Sequence, residues 1–174
     1  MTISAEYLEQ QKQLHQNPDY GVASLEFAAW VIELAEKINA KSISDYGAGK
    51  CNLKKKMSEL GQSNFEYFPY DPAFPEYGDP QKADLVCCID VLEHIEPIYL
   101  EAVLGDLKSI TSKMGFFTIH TGPAAKHLSD GRNAHLIQKP ASWWLPQLCE
   151  HFELAHMQRS PGGFWIIVEP RSSP

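Results

Sequence analysis

The sequence has 174 residues, of which 44% are hydrophobic and 21% are charged, and its formal net charge is −7. This length favours one domain with a sizeable core, and the composition is that of an ordinary soluble globular protein rather than a fibrous or low-complexity chain. The acidic balance argues against the phosphate backbone of a nucleic acid as a partner.

The cysteines indicate a reducing compartment. Cys87 and Cys88 are adjacent within an apolar run, and no two cysteines have the C-x-x-C spacing of a zinc or redox motif. Because the pattern also lacks a disulfide framework, we expect free thiols and a cytoplasmic protein. We recognise neither a signal peptide nor an apolar run of membrane-spanning length, and therefore expect no membrane partner.

The N-terminal region is predicted to form two helices. Ser4 is placed to cap a polar helix over residues 4–16, and the Asn-Pro-Asp-Tyr-Gly segment at 17–21 breaks it. Ser24 is placed to cap a strongly apolar helix that runs to about Ile38. The first strand then begins near residue 42.

Residues 42–60 combine a strand, a glycine loop and a helix. The strand ends at Asp45, and Gly47 and Gly49 open a tight loop in which the missing Cβ lets a ligand approach the backbone. Strand, glycine turn and helix in this order are the setting of a nucleotide-binding loop. The helix is expected to pack through one apolar face, formed by Leu53, Met57 and Leu60.

Strands and helices continue to alternate through the rest of the chain. Further strands are predicted at residues 65–70, 84–90, 115–120, 152–158 and 164–169, helices at 97–110 and 140–151, and loops at 71–83 and 121–138. This order predicts an α/β fold with a doubly wound, mostly parallel sheet and an antiparallel edge strand. Ligands of such sheets bind beyond the carboxyl ends of the strands. Those ends carry Asp45, Asp71, Asp90 and His120.

Three of these strand ends resemble the motifs of class I S-adenosylmethionine-dependent methyltransferases. Asp45-Tyr46-Gly47-Ala48-Gly49 looks like the first motif, Asp71 matches the acid after the second strand, and Asp90-Val91-Leu92-Glu93-His94-Ile95 is similar to the motif after the next core strand. The likeness covers about residues 20–170. It implies a Rossmann-like methyltransferase that uses S-adenosyl-L-methionine, in a single domain of residues 1–174. Within it, residues 1–40 would form N-terminal helices and a lid, and residues 41–170 the Rossmann-like core.

The residue types at the strand ends suit the parts of this cofactor. Asp71 lies 22 residues after Gly49, where an acid grips a ribose diol in dinucleotide-binding folds. The glycines would let the methionine part lie against the backbone, and Asp45 would receive its ammonium group. The expected cofactor-binding residues, including Tyr20 from the family's lid, are Tyr20, Asp45, Gly47, Ala48, Gly49, Asp71, Pro72, Asp90 and Val91.

Two departures from the family pattern carry structural expectations. Cys51 stands where the family often has a third glycine, and we expect a negative φ there because a side chain disfavours positive φ. The segment between Asp71 and Asp84 is too short for the family's usual helix and strand. We therefore expect a sheet reduced after its second strand, with the adenine contacted by Asp90 and Val91 or by backbone groups.

Methyl transfer needs alignment, and an acceptor that carries a proton also needs a base. Histidine is the natural base near neutral pH. His94, His120 and His135 are the candidate catalytic residues, because they follow strand ends or lie in the loop at the same edge. The aromatic candidates for the walls of a substrate pocket are Tyr20, Phe74, Tyr77, Trp143 and Trp144.

The spacing Asp90-x-x-Glu93-His94, with a later His135, admits a metal-dependent alternative. A similar pattern binds a divalent metal in ubiquinone-pathway O-methyltransferases and in small-RNA 2′-O-methyltransferases, and would imply a cation that acidifies a bound hydroxyl. The same residues occur in metal-free members of the fold, where the glutamate caps a helix or pairs with a base. We adopt the metal-free interpretation and assign no metal ligand.

Together, these features predict an enzyme that transfers a methyl group from S-adenosyl-L-methionine to an oxygen or nitrogen nucleophile of a small molecule. The acidic charge, and the lack of a sizeable insertion to recognise a polymer, favour a small-molecule substrate. One alternative is a methyltransferase that acts on RNA or protein through a partner subunit. The other is a non-catalytic protein that binds S-adenosylmethionine.

Overall fold

The computed structural model describes residues 2–171. The α-helices of this range are α1 (Ala5–His15), α2 (Ser24–Lys37), α3 (Asn52–Glu59), α4 (Leu100–Ile110) and α5 (Ala141–His151). Its strands are β1 (Ser42–Tyr46), β2 (Glu66–Tyr70), β3 (Ala83–Ile89), β4 (Thr111–His120), β5 (Phe152–Ser160) and β6 (Gly163–Pro170). In this part of the chain no helix has both the length and the apolar character needed to cross a membrane.

The strands form one six-stranded sheet in the order β2-β1-β3-β4-β6-β5. The first four strands in this order are parallel to one another, and β6 pairs antiparallel with both β4 and β5. This confirms the predicted α/β fold, with a mostly parallel sheet and antiparallel pairing at one edge.

The other edge of the sheet is β2. This agrees with the prediction that the segment after β2 is too short to add a further helix and strand. Residues 71–82 connect β2 to β3 and contain three prolines and a single 3-10 turn, Pro75–Tyr77. Proline lacks a backbone N–H and clashes with the preceding turn of a helix, so this segment cannot form a regular crossover helix. The sheet is therefore reduced after its second strand, and the carboxyl end of β2 opens directly into a compact turn.

Helices cover both faces of the parallel part of the sheet. On one face α2 and α3 pack against Leu85 and Cys87 of β3, and on the other α4 and α5 pack against Val86 and Cys88. Successive side chains of a strand point to opposite faces, so β3 is apolar at each position from Leu85 to Ile89. The structure thus explains the unbroken apolar run and leaves both thiols buried and free.

The first helix lies outside this layered core. Ser4 caps α1 as predicted, since its Oγ accepts the Tyr7 N–H at 3.2 Å. The Tyr7 ring packs with Leu128 and Ala134 in a separate small cluster. Because these partners belong to the loop after β4, α1 lies across the carboxyl end of the sheet rather than on either face.

Two local predictions were wrong at helix ends. Ser24 is the first residue of α2 rather than its cap, because Ala23 occupies the capping position and makes no side-chain hydrogen bond there. Leu60 follows the last residue of α3 and is 48% exposed, so only Leu53 and Met57 form the buried face of that helix.

The expectation of a negative φ at Cys51 was also wrong, since its φ is +55°. The chain turns from the glycine loop into α3 at this residue, and the Cys51 N–H donates to the Ala48 carbonyl at 2.8 Å. A side chain in this left-handed conformation costs roughly 1–2 kcal/mol. The hydrogen-bonded turn and the helix that follows it hold the residue there despite that cost.

Substitutions of Cys51 should measure the free-energy cost of its positive φ. We expect Cys51→Val to lower the free energy of unfolding by about 1–2 kcal/mol, because β-branched residues are least tolerant of positive φ. Cys51→Gly should keep or raise stability by up to about 1 kcal/mol. Urea unfolding measures both, with Cys149→Val on the exposed surface of α5 as the control. Equal stability of the glycine and valine variants would contradict the strained turn.

Candidate active site

A cavity of about 650 Å³ opens at the carboxyl ends of the parallel strands. Its walls come from the glycine loop, the residues that follow β2, β3 and β4, and the inner side of α1 and the segment after it. All the site residues expected from the sequence line this cavity: Tyr20, Asp45, Gly47, Ala48, Gly49, Asp71, Pro72, Asp90, Val91, His94, His120 and His135.

The glycine loop is held by the end of the neighbouring strand. The Gly47 and Ala48 N–H groups both donate to the Tyr70 carbonyl, at 2.7 and 2.9 Å. Gly47 has a φ of +82°, and a Cβ added there would lie 2.4 Å from Cγ2 of Val91. Both conformation and space therefore require glycine, and the loop presents bare backbone to the cavity.

Asp71 is bonded directly to this loop. Its Oδ2 accepts the Gly49 N–H at 3.0 Å, and its Oδ1 accepts the Ala73 N–H at 2.8 Å. A carboxylate has about four lone-pair positions, so each oxygen keeps capacity for a further donor. Burial raises the pKa of Asp71, and the nearby His15 ring and these two N–H groups oppose that effect. The arrangement is a fixed carboxylate at the cavity wall that can accept two more hydrogen bonds.

Asp45 lies deeper, at the end of β1. Its side chain is 3% exposed, and its Oδ2 accepts a hydrogen bond from the Tyr67 hydroxyl. Burial raises the pKa of Asp45 to about 7, although the Tyr67 hydrogen bond lowers it. The carboxyl therefore changes charge near neutral pH, and any cation bound beside it would favour its ionised form.

Three histidine rings form the opposite end of the cavity. The ring centroids of His94 and His135 are 4.7 Å apart, and those of His135 and His120 are 5.0 Å apart. Burial lowers the pKa of His94 to about 4, so this ring is neutral at neutral pH. Asp90 follows β3 with a φ of +58° and lines the cavity near these rings.

Backbone partners assign the tautomers of these rings. Nδ1 of His94 lies 2.8 Å from the Ala134 carbonyl, and Nδ1 of His135 lies 2.7 Å from the Gly122 carbonyl. A carbonyl only accepts, so each Nδ1 carries a hydrogen and each Nε2 has a free lone pair. His120 differs because its Nδ1 lies 3.1 Å from the Gly122 nitrogen and 3.2 Å from the Gly122 carbonyl oxygen, so its contacts fit either tautomer. His94 and His135 are therefore the rings able to act as bases or ligands through Nε2.

Glu93 does not take part in the ligand pattern that the sequence admitted. Its side chain is fully buried, and its Oε1 accepts the His120 N–H. Burial raises the pKa of Glu93 well above its usual range, with the charge of Asp90 adding to the effect. The groups that do converge are one carboxylate and two imidazoles, since ligand atoms of Asp90, His94 and His135 all lie within 4.8 Å of one another.

The sequence analysis expected N-terminal helices and a lid within residues 1–40 but named no residue of α1 as part of the site. The Tyr7 hydroxyl donates to the His94 carbonyl at 2.6 Å, and the Tyr20 hydroxyl donates to Gln11 Oε1 at 3.0 Å. His15 lies at the other end of the cavity, beside Asp71. The sequence showed that this helix is polar, and the family resemblance placed it in a lid region, but neither identified which of its residues face the cavity. Of the aromatic wall candidates, only Tyr20 lines the cavity among the described residues.

The raised pKa of Asp45 predicts a pH-dependent cost to stability. Between about pH 4 and pH 7 the folded state keeps a proton that the unfolded state has lost, so this carboxyl makes the protein less stable as pH rises. We expect Asp45→Asn to raise the free energy of unfolding, with a gain that grows from pH 5 to pH 7.5. The carboxamide that this substitution introduces has a carbonyl oxygen, which would still accept the Tyr67 hydrogen bond.

Urea unfolding at pH 5 and pH 8 measures this difference. Asp84→Asn is the matched control, because backbone and lysine partners hold the pKa of Asp84 below its usual range and its substitution should destabilise at neutral pH. A gain for Asp45→Asn that is the same at both pH values would contradict the assignment.

No protein-family model matches the sequence, and no curated protein matches it either. Solved structures do match the fold. One is the 1,6-didemethyltoxoflavin-N1-methyltransferase of Burkholderia thailandensis with bound 1,6-didemethyltoxoflavin and S-adenosylhomocysteine, with a TM-score of 0.67 and 16% identity over 99% of this chain and 92% of that one.

Two further matches have the same character. The magnesium protoporphyrin IX methyltransferase of Synechocystis PCC 6803 with bound SAH has a TM-score of 0.55 and 15% identity, over 97% of this chain and 95% of that one. The DhpI–SAH complex has a TM-score of 0.58 and 14% identity, over 97% and 98% of the two chains. The chain therefore has the fold of the class I S-adenosylmethionine-dependent methyltransferases.

Proposed function

We propose that the protein transfers a methyl group from S-adenosyl-L-methionine to an oxygen or nitrogen nucleophile of a small molecule. The observation that carries this proposal is the direct bond between the glycine loop and Asp71 at the wall of one cavity. A backbone without side chains and a carboxylate with free lone pairs meet where this fold class binds its ligands.

The residues at this end fit the cofactor group by group. The backbone at Gly47 and Gly49 lines the cavity where the methionine part would lie, Asp71 can accept both ribose hydroxyls, and Asp45 can pair with the ammonium group. Asp90 and Val91 remain our candidates beside the adenine. When bound, S-adenosylmethionine supplies a methyl group already activated by a positive sulfur. The chain's own task is then to align the acceptor and exclude water.

The histidine end supports a base for the acceptor. His94 and His135 each hold a hydrogen on Nδ1 and direct a free lone pair from Nε2, and the lowered pKa keeps the His94 ring in its neutral form at neutral pH. His120 has no assigned tautomer, because its Nδ1 lies close to both the N–H and the carbonyl of Gly122. We therefore assign the proton-accepting role to His94 and His135 and a polar contact to His120.

The charge of the cavity supports a small-molecule acceptor over a nucleic acid. Among the described lining residues, lysine is represented by Lys126 alone, against the carboxyl groups of Asp19, Glu26, Asp45, Asp71, Asp90 and Glu96. A phosphate backbone would need the opposite balance. The four free cysteines fit a reducing location such as the cytoplasm.

Binding of the demethylated cofactor tests the proposal without knowledge of the acceptor. We expect titration calorimetry to show binding of S-adenosylhomocysteine by the wild type and a loss of at least about tenfold for Asp71→Asn, which weakens a charge-assisted contact to hydroxyls. Asp79→Asn, on an exposed residue of the same connecting segment, should bind as the wild type does. No binding by the wild type would refute the proposal.

One observation favours a metal-assisted form of the same reaction, which the sequence analysis had set aside. Asp90, His94 and His135 bring a carboxylate and two imidazoles within 4.8 Å, and both imidazoles donate Nδ1–H to backbone carbonyls. Such backbone anchoring is the usual support of metal-binding histidines. Carboxylate with imidazole suits a divalent transition metal, which would acidify a hydroxyl acceptor and so favour O-methylation.

Direct metal titration tests this form. We expect Mn²⁺ or Zn²⁺ to raise the melting temperature of EDTA-treated wild type by several degrees through preferential binding to the folded state. His135→Ala and Asp90→Asn should abolish the shift, and His127→Ala, on an exposed histidine of the same loop, should keep it. If the metal raised the melting temperature of His135→Ala as much as that of the wild type, the metal would bind elsewhere and the metal-assisted reaction would be refuted.

A further inference from the structure

His15, the last residue of α1, lies against the glycine loop. Its Cε1 is 3.0 Å from the position that a Cβ on Gly49 would occupy. Its Nε2 is 3.8 Å from Oδ2 of Asp71, which is beyond hydrogen-bond distance. The ring also stands edge-on to Tyr20 and Phe74, with both centroid distances at 5.0 Å. A residue from outside the sheet thus reaches the carboxylate that follows β2.

The imidazole lacks the partners that a buried ring normally has. The side chain of His15 is 11% exposed, and no described residue offers a hydrogen-bond partner to its buried Nδ1. Leaving a buried polar atom unpaired is costly, and such atoms in native proteins call for an explanation. The other histidines that line the cavity, His94, His120 and His135, each have a backbone partner at Nδ1.

The His15 ring lies beside an oxygen of Asp71 that can still accept a hydrogen bond. The Gly49 N–H already occupies one position on Oδ2, and Nε2 of His15 lies 3.8 Å from the same oxygen. The negative charge of Asp71 favours the tautomer with hydrogen on Nε2, which leaves Nδ1 as an acceptor. A hydroxyl group that binds at Oδ2 would therefore lie beside Nε2, whose hydrogen can be donated to the hydroxyl oxygen, while the enclosed Nδ1 takes no part in the contact.

We propose that His15 is a positioning residue for the nucleoside end of the donor site, where its imidazole hydrogen-bonds a ribose hydroxyl held by Asp71. The inference rests on the proposed function. A contact from His15 to the nucleoside would make α1 part of the cofactor site. The same helix is held in place by two further hydrogen bonds, from the Tyr7 hydroxyl to the His94 carbonyl and from the Gln10 side chain to Asp130.

Calorimetry with adenosine, 2′-deoxyadenosine and 3′-deoxyadenosine tests the contact on the full chain. We expect His15→Ala to weaken adenosine binding about three- to tenfold, the value of one neutral hydrogen bond. Its affinity for the analogue that lacks the contacted hydroxyl should be unchanged. His15→Gln, which keeps a hydrogen-bonding group, should recover part of the loss. Gln13→Ala, on the exposed side of α1, is the matched control and should match the wild type.

The outcomes separate this inference from the proposed function. The contact is supported if His15→Ala loses affinity only for the ligands that carry the contacted hydroxyl. A general disturbance of α1 would instead lower the affinity for all three ligands alike. An equal loss for all three ligands, or no loss, would overturn the role of His15 while wild-type binding of S-adenosylhomocysteine still stood. No binding of S-adenosylhomocysteine by the wild type would overturn both proposals.

Discussion

The hydrogen bond from the Gly49 N–H to Asp71 joins two segments that are far apart in the chain, and the candidate site depends on it. The bond requires that β1 and β2 lie side by side in parallel, so that both end at the same edge. The Tyr70 carbonyl completes the join by accepting the N–H groups of Gly47 and Ala48. Because β2 is the edge strand, Asp71 is fixed by these backbone bonds rather than by a further strand.

Two buried ionisable groups, one in the cavity wall and one behind it, work against stability. Asp45 and Glu93 are both buried, and burial raises the pKa of each. A hydrogen bond offsets part of the cost in each case, from the Tyr67 hydroxyl for Asp45 and from the His120 N–H for Glu93. Groups of this kind concentrate where a protein binds or reacts, because their charge responds to a ligand more strongly than an exposed charge does.

The first helix links the two ends of the cavity. At the histidine end Tyr7 bonds to the His94 carbonyl, and at the glycine end the His15 ring covers the loop. Its own apolar contacts are few, with Tyr7 as the buried apolar residue of the helix. Lys50 adds a tie from the glycine loop to the segment after α1, since its Nζ donates to the Tyr20 carbonyl at 3.1 Å. A helix held mainly by polar bonds can respond to what occupies the cavity beneath it.

The sequence by itself determined the order of the strands along the chain, the residues at their ends and the reduction of the sheet after β2. These features follow from local rules, since strand burial appears as an apolar run and three prolines prevent a helix. Only the tertiary structure decided the positive φ of Cys51, the burial of Glu93 away from the cavity and the place of His15. Each of these depends on partners distant in sequence or on the geometry of a whole turn, and local patterns of apolar and polar residues carry no record of such contacts.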